Sequence, residues 1–174
     1  GRFRNGQNHS HWPWSDLVSI CLGRVGMSSQ SVVLELGSAV GANVPFFQAL
    51  GCEYYGLEGS ATAVTKTREL FPNWADRFYQ CDFTEPFPIE PKVSTVVDRS
   101  SVTHNTTAGV RSVVQQCYDV LEIGGMYVGI DWFGKDHDAF RHESGTVIDD
   151  NTRIFDRVGT EFEGVGNVHF SDPK

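Results

Sequence analysis

The chain has 174 residues and a net charge of −8, and 40% of its residues are apolar. This length fits one globular domain with a substantial core, and the acidic balance argues against nucleic acid as a partner. No apolar run approaches the roughly 20 residues of a membrane span, and no secretory signal stands in the first 30 positions. We therefore expect a cytoplasmic protein that binds neither nucleic acid nor a membrane.

Cysteine and histidine spacing gives no metal or disulfide signal. The cysteines lie far apart and form no C-x-x-C pair, which disfavours both a zinc site and a disulfide framework. His9 and His11 flank a serine without a nearby carboxylate, so a solvated pair is favoured over metal ligands. The four cysteines are Cys21, Cys52, Cys81 and Cys117.

Short apolar segments alternate with helix-like segments, the pattern of βαβ units around a parallel sheet. Five strands are predicted at 32–36, 53–57, 77–81, 94–97 and 126–130, and three helices between them at 43–50, 60–71 and 107–121. Gly124 and Gly125 are expected to turn the chain into the fifth strand. The predicted fold class is α/β.

The two ends of the chain are less regular. Ser15 and Asp16 predict a helix start, and Trp12 and Trp14 before it form either a lid over a ligand pocket or part of the core. After Asp131 periodicity is weak, which predicts a long excursion with short elements at most, a feature that is unusual unless functional. We expect one domain, 1–174, made of an N-terminal lid or helix (1–30), a ligand-binding core (31–131) and the excursion with the start of a last helix (132–174).

Residues 33–43, with the sequence VLELGSAVGAN, give the strongest binding signal: an apolar strand that ends in an acid and two glycines and runs into a helix. Ligands of open α/β sheets bind beyond the carboxyl ends of the strands, where glycine lets the backbone approach them closely. The alternative is a tight turn without a ligand. A G-x-G-x-x-G fingerprint starting at Gly37 needs glycine where Ala39 and Ala42 stand, which disfavours NAD.

Acids also follow the second and third strands. Glu58 is placed to accept hydrogen bonds from both hydroxyls of a ribose. Its alternative role is a helix cap, which Ser60 can supply instead. Asp82 with Phe83 can take the amino group of an adenine and pack on the base. Three acids at successive strand ends favour a ligand site over three solvated side chains.

In this order the motifs resemble the class I S-adenosylmethionine-dependent methyltransferases over about residues 30–131. Residues 35–41 are similar to the glycine-rich first motif, Glu58 to the ribose-binding acid and Asp82 to the adenine-side acid. Residues 96–100 resemble the fourth-strand motif and residues 121–125 the turn before the fifth strand. The sequence at residues 41–47 and 98–105 is most similar to that of small-molecule methyltransferases of bacterial type.

The resemblance implies a Rossmann-like doubly wound sheet, S-adenosylmethionine as cofactor with S-adenosylhomocysteine as product, and a small-molecule acceptor such as a sugar or secondary metabolite. It places the cofactor contacts at Glu35, Gly37, Ser38, Ala39, Gly41, Asn43, Glu58, Gly59, Ser60, Asp82, Phe83, Asp98, Arg99 and Ser100.

Two departures from the family pattern carry expectations. Ala39 stands where the family has glycine, and its methyl group is expected to point toward the cofactor and lower affinity. From Val168 onward the chain is expected only to begin a last helix, so that the C-terminal strand pair is missing and the chain is truncated. The resulting open sheet edge would favour a homodimer or lower the stability.

Methyl transfer depends mostly on positioning. His104, six residues after the fourth strand, is the candidate base, with a structural histidine as its alternative. Asp98 is the second catalytic candidate and, with Arg99, would orient the acceptor, although it equally suits a buried capping acid. Two other functions stay open: a non-catalytic binding or assembly module with this fold, and a nicotinamide-dependent oxidoreductase.

Overall fold

The computed structural model describes residue 10, residues 12–155 and residues 160–172. Its main sheet is parallel and has the strand order β3-β2-β1-β4-β5. The strands are β1 (Val32–Leu36), β2 (Glu53–Glu58), β3 (Phe78–Gln80), β4 (Val93–Arg99) and β5 (Leu121–Ile130). The predicted α/β class and Rossmann-like sheet are confirmed, since all five strands form within a few residues of their predicted positions.

Four helices accompany this sheet: α1 (Ser15–Ile20), α2 (Val44–Leu50), α3 (Ala61–Leu70) and α4 (Thr107–Val120). A π-helical turn, Cys21–Val25, extends α1. The helix starts at Ser15 as predicted, but its N-cap is Trp14, without a side-chain hydrogen bond, rather than Ser15 or Asp16. By contrast, Ser60 and Thr106 do cap α3 and α4 with their side chains.

The start of β5 differs from its prediction. The strand begins at Leu121, paired with Val93, and its register against β4 shifts before Thr95 pairs with Met126. Gly124 has a φ angle of 84°, a conformation open mainly to glycine. The predicted turn at Gly124 is therefore an irregularity inside a longer strand.

The central strands β1 and β4 contribute side chains to a core on each face of the main sheet, since neighbouring residues of a strand point to opposite sides. Val33 belongs to a core with Leu17 of α1 and Phe47 of α2. Its neighbour Leu34 belongs to a second core with Val113 of α4. Within the described residues, β5 pairs only with β4 and so forms one edge of the sheet.

The excursion after β5 folds into a second sheet with the order β6-β9-β8-β7. Its strands are β6 (Phe133–Gly134), β7 (Gly145–Val147), β8 (Thr152–Phe155) and β9 (Asn167–Ser171). Residues 168–171, predicted as the start of a helix, therefore form a strand. The reason is packing, because Val168 and Phe170 are fully buried in an aromatic core with Phe155 and Phe162.

No described helix combines the length and apolar character that crossing a membrane demands. The division of the chain at residues 30 and 131 stays a prediction.

Candidate functional site

The loop after β1, residues 37–43, bends back over the end of β2. Gly37, Ala39 and Gly41 have positive φ angles of 68°, 47° and 80°. The backbone N–H groups of Gly37 and Ser38 both donate to the carbonyl oxygen of Leu57, at 2.8 and 3.1 Å. These bonds hold the loop at the carboxyl edge of the sheet, where open α/β sheets bind ligands.

Residue 37 must also be glycine because another residue of the protein occupies the space of its side chain. A Cβ atom at this position would lie 2.0 Å from Ser101 Oγ, which is far inside van der Waals contact. Ser101 belongs to the loop after β4, so the missing side chain at residue 37 lets these two loops touch. The sequence predicted a close approach of a ligand here, and the structure shows a close approach of Ser101.

Glu58 ends β2 and ties the first two loops together. Its Oε2 accepts from the backbone N of Ala39 at 2.9 Å, and its Oε1 accepts from the backbone N of Ser60 at 2.7 Å. Each carboxylate oxygen keeps a further acceptor position, as binding to two ribose hydroxyls requires. The alternative capping role belongs to Ser60, whose Oγ accepts from the N of Ala63 at 3.3 Å.

Glu35 and Asn43 lie in the interior and support the loop. Glu35 is 4% exposed, and its two oxygens accept from Asn43 Nδ2 and from the hydroxyl of Tyr54, both at 2.6 Å. Burial raises the pKa of Glu35, against the lowering effect of the two hydrogen bonds. Asn43 Oδ1 accepts from the N of Trp14 at 3.2 Å, so this pair connects β1 to α1. Their contact with a cofactor stays a prediction.

Asp82 and Phe83 follow β3. Asp82 Oδ1 accepts from the backbone N and the hydroxyl of Thr84 at 2.9 and 2.7 Å, and these bonds lower the pKa of Asp82. Its Oδ2 makes no hydrogen bond to a residue that the structure describes. An ionised oxygen with free acceptor positions beside an aromatic ring suits the amino group of an adenine.

A cavity of about 380 Å³ opens between the loops that follow β2, β3 and β4. It brings Gly59, Asp82, Phe83 and His104, which the sequence singled out separately, to one place. Cys81, whose thiol pKa is raised to about 11 by burial, also lines it and is protonated at neutral pH. The lining residues are Gly59, Gln80, Cys81, Asp82, Phe83, Ser101, His104 and Asn105.

Asp98, at the end of β4, is completely buried. Its Oδ1 accepts from the backbone N of Ser101 and Val102, at 2.9 and 3.1 Å. Its Oδ2 accepts from Trp132 Nε1 at 2.6 Å and the hydroxyl of Tyr127 at 3.1 Å. Burial raises the pKa of Asp98, opposed by these four bonds. A carboxylate enclosed in this way is placed to hold the turn rather than to touch an acceptor, which favours the alternative of a buried capping acid. The catalytic role of Asp98 stays a prediction.

Arg99 points its guanidinium at α1 and β5. The group lies 3.8 Å from the centre of the Trp14 ring and forms ion pairs with Asp131 at 2.5 Å and Asp16 at 3.8 Å. Its Nε is buried and has no hydrogen-bond partner among the described residues. Trp14 is 42% and Trp12 78% exposed, so neither ring is a core residue, and Trp14 covers Arg99.

Ser100 and His104 shape the loop after β4. Ser100 has a φ angle of 58° and donates its N–H to the carbonyl of Ile130. His104 ends the short 3-10 turn Val102–His104, and its Nδ1 lies 3.1 Å from the carbonyl oxygen of Asn167. Because a carbonyl only accepts, Nδ1 carries the hydrogen. Nε2, without a hydrogen bond to the described part of the chain, is then the acceptor nitrogen of the neutral ring.

Sequence reasoning missed Tyr54, Trp132 and Asn167, which bind the site residues Glu35, Asp98 and His104. It also missed Asp149, which binds Thr107. The one available signal is the turn sequence DDNT at 149–152, in which an Asp commonly bonds nearby backbone. His9 and His11 lie outside the described residues. Among those described, no three His, Cys, Asp or Glu side chains are placed to hold a metal ion.

The parallel sheet and the order of its strand-end loops are those of the class I S-adenosylmethionine-dependent methyltransferase fold. A family model described as "Methyltransferase domain" matches residues 34–129, more than half of the chain, and the chain belongs to this family. A comparison with curated proteins found no match.

Solved structures share the fold. The glycopeptide N-methyltransferase MtfA complexed with sinefungin is 24% identical, with a TM-score of 0.60, over 73% of this chain and 52% of that one. DesVI of Streptomyces venezuelae is 24% identical, with a TM-score of 0.59, over 80% and 58%. The CcbJ methyltransferase of Streptomyces caelestis is 20% identical, with a TM-score of 0.61, over 81% and 59%. The chain thus spans between half and three fifths of these relatives.

Proposed function

We propose that the chain binds S-adenosylmethionine at the carboxyl edge of β1, β2, β3 and β4, and that the protein transfers its methyl group to a small-molecule acceptor. The observation that carries this proposal is the convergence of Glu58, the loop 37–43 and the cavity with Asp82 at one edge of the sheet. Family membership supports the reaction class. The glycopeptide N-methyltransferase MtfA, solved with S-adenosylmethionine, supports a sugar or secondary metabolite as acceptor.

The side chains present fit this cofactor. Glu58 offers the ribose two oxygens with acceptor positions left over, and Asp82 offers the adenine its Oδ2 beside Phe83. Gly59 and Ser60 would flank the ribose. When bound, S-adenosylmethionine supplies an activated methyl group on a positively charged sulfur. The protein's own contribution is then to hold the acceptor in line and to remove a proton from it.

His104 is the proposed base. Its Nε2 accepts the proton of the acceptor's hydroxyl or amine. Its Nδ1 keeps its own hydrogen and donates it in a hydrogen bond to the carbonyl oxygen of Asn167. Asp98 acts through this turn as a positioning residue, since it binds the backbone N–H groups of Ser101 and Val102. Arg99, which ends β4, and Ser100, which follows it, are also proposed to contact the cofactor.

The cofactor site is tested by calorimetry with S-adenosylhomocysteine on the Glu58→Ala variant. Each charge-assisted hydrogen bond is worth about 1.5–3 kcal/mol, so we expect the Kd to rise at least about tenfold. Glu53→Ala is the matched control, because Glu53 begins the same strand at its far end and should leave the Kd unchanged. Equal Kd values for the Glu58→Ala variant and the unmodified chain would contradict the ribose assignment.

A non-catalytic binding module is the second candidate, favoured by the left-handed Ala39 at a glycine position. It predicts that S-adenosylhomocysteine binds, whereas no methyl group passes from labelled S-adenosylmethionine to any of a set of amino sugars and amines. Methylation of one such acceptor excludes it.

A further inference from the structure

The second sheet meets the proposed active site at His104. The carbonyl of Asn167, the first residue of β9, accepts from His104 Nδ1 at 3.1 Å. This is the single side-chain hydrogen bond of His104 within the described ranges. The orientation of the imidazole therefore depends on the second sheet, whereas the main sheet supplies only the turn that carries His104.

Asp149 fixes the second sheet to the start of α4. Its Oδ2 accepts from the backbone N of Thr107 at 2.9 Å, and its Oδ1 accepts from the Thr107 hydroxyl at 2.7 Å. Oδ1 also accepts from the N of Asn151 at 2.9 Å, which forms the turn into β8. A carboxylate on the first N–H groups of a helix is favoured by hydrogen bonding and by the helix dipole.

The residue that Asp149 binds, Thr107, is close to His104 in the chain, and Asp149 precedes β8, the strand that pairs with β9. Thr107 follows His104 by three residues, and β9, which carries Asn167, pairs with β8 through Thr152 and His169. His169 Nδ1 also lies 3.4 Å from the hydroxyls of Thr107 and Thr152. Displacement of Asp149 from α4 would therefore move the Asn167 carbonyl relative to His104.

We infer that the second sheet is the positioning element for the base: Asn167 holds His104 as the tautomer with hydrogen on Nδ1 and a free Nε2, and Asp149 holds Asn167 in place. The use of Nε2 as a base rests on the proposed function, whereas the assignment of the tautomer does not. Such outer partners orient a histidine and fix which nitrogen bears hydrogen.

The tautomer is measured without cofactor or acceptor, by long-range proton–nitrogen spectra of the ¹⁵N-histidine-labelled full chain at a pH where the ring is neutral. We expect one tautomer in the unmodified chain, protonated on Nδ1, and a mixture with the Nε2-protonated form in Asp149→Ala. Asp150→Ala is the matched control, since Asp150 is exposed beside the anchor and should leave the spectrum unchanged. Asp149→Asn, which keeps one acceptor oxygen, serves if Asp149→Ala does not fold.

The spectroscopic and kinetic results test the positioning inference and the proposed function separately. An unchanged His104 tautomer in a folded Asp149 variant overturns the positioning inference, whatever the activity. Once an acceptor is found, Asp149→Ala should lower kcat by about ten- to 100-fold, the scale for losing a partner that orients a histidine, with the Kd for S-adenosylhomocysteine retained. Full turnover of His104→Gln would overturn the base role in the proposed function and leave the spectroscopic result standing as support for the positioning element.

Discussion

Ala39 holds a backbone conformation that favours glycine, with a φ angle of 47°. For alanine this region costs roughly 1–2 kcal/mol, whereas glycine adds unfolded-state entropy of roughly 0.4–1 kcal/mol. We therefore expect Ala39→Gly to leave the free energy of unfolding unchanged or to raise it by up to about 1 kcal/mol, and to keep or improve affinity for S-adenosylhomocysteine. Urea unfolding and calorimetry measure both.

Ala42→Gly provides the control for this change, because Ala42 lies in the same loop at a negative φ angle. It should lower the free energy of unfolding by roughly 0.4–1 kcal/mol. If Ala39→Gly destabilises the chain as much as Ala42→Gly does, or weakens binding, the methyl group of Ala39 makes useful contacts and the strain argument is wrong.

His104 is tested by His104→Gln with an identified acceptor. Loss of one positioned proton acceptor lowers turnover by about 100-fold or more, while cofactor affinity should persist because Glu58 and Asp82 are intact. Turnover of His104→Gln equal to that of the unmodified enzyme would make His104 a structural residue.

The positions of two predicted site residues follow from the strand that precedes each of them. Glu58 ends β2 and Asp82 follows the parallel strand β3, so their position at one edge of the sheet follows from the fold class. The surroundings of Asp98 could not be predicted in the same way, because two of its partners, Tyr127 and Trp132, lie 29 and 34 residues further along the chain. Only the packed sheet brings their polar tips to this carboxylate.

At the scale of elements, Asp98 joins β4 to β5 and to the turn that carries His104. Asp98→Ala would leave four donors without their acceptor, each at a cost of roughly 1–3 kcal/mol if it stays buried. We expect the free energy of unfolding to fall by at least about 3 kcal/mol in urea titrations. Asp76→Ala, at an 84% exposed side chain, should change it little. A loss as small as that of the control would refute the capping role.

Docking of the second sheet on α4 should depend on pH through Asp149. Burial alone would raise its pKa, but hydrogen bonds from Thr107, Asn151 and Thr152 outweigh burial and lower the pKa of Asp149 well below its ordinary value of 3.8. A carboxyl group with a depressed folded-state pKa stabilises the fold above its unfolded-state pKa, and this contribution is lost as pH falls through the folded-state value.

The measurement compares urea unfolding of the unmodified chain and Asp149→Asn at pH 7, 5 and 3. The difference in free energy of unfolding should be equal at pH 7 and 5 and should begin to shrink at pH 3, below the ordinary pKa of the carboxyl group. Asp150→Asn, at an exposed side chain, is the control and should change the free energy of unfolding little at pH 7. A difference between the unmodified chain and Asp149→Asn that stays constant down to pH 3 would mean that Asp149 is not the ionised anchor.

At the scale of the whole molecule, the main sheet could be predicted because each strand and helix has its own local pattern. The second sheet could not, since its strands are two to five residues long and depend on contacts among Phe133, Phe162 and Phe170. Short strands of this kind have little periodicity, and burial of aromatic side chains decides their pairing. The homodimer predicted from the open edge at β5 stays a prediction.

The last prediction concerns the stability of the whole chain with ligand. A compound that binds only the folded state stabilises it by about 2.7 kcal/mol at a concentration of 100 times its Kd. For a chain of this size each kcal/mol shifts the Tm by roughly 2–4 °C. We therefore expect S-adenosylhomocysteine at that excess to raise the Tm by about 5–10 °C.

Two controls accompany this measurement. NADH at the same concentration should give no shift, because Ala39 and Ala42 break the dinucleotide fingerprint. The Glu58→Ala variant should need a higher S-adenosylhomocysteine concentration for an equal shift. A shift with NADH and none with S-adenosylhomocysteine would overturn the proposed cofactor and favour the oxidoreductase.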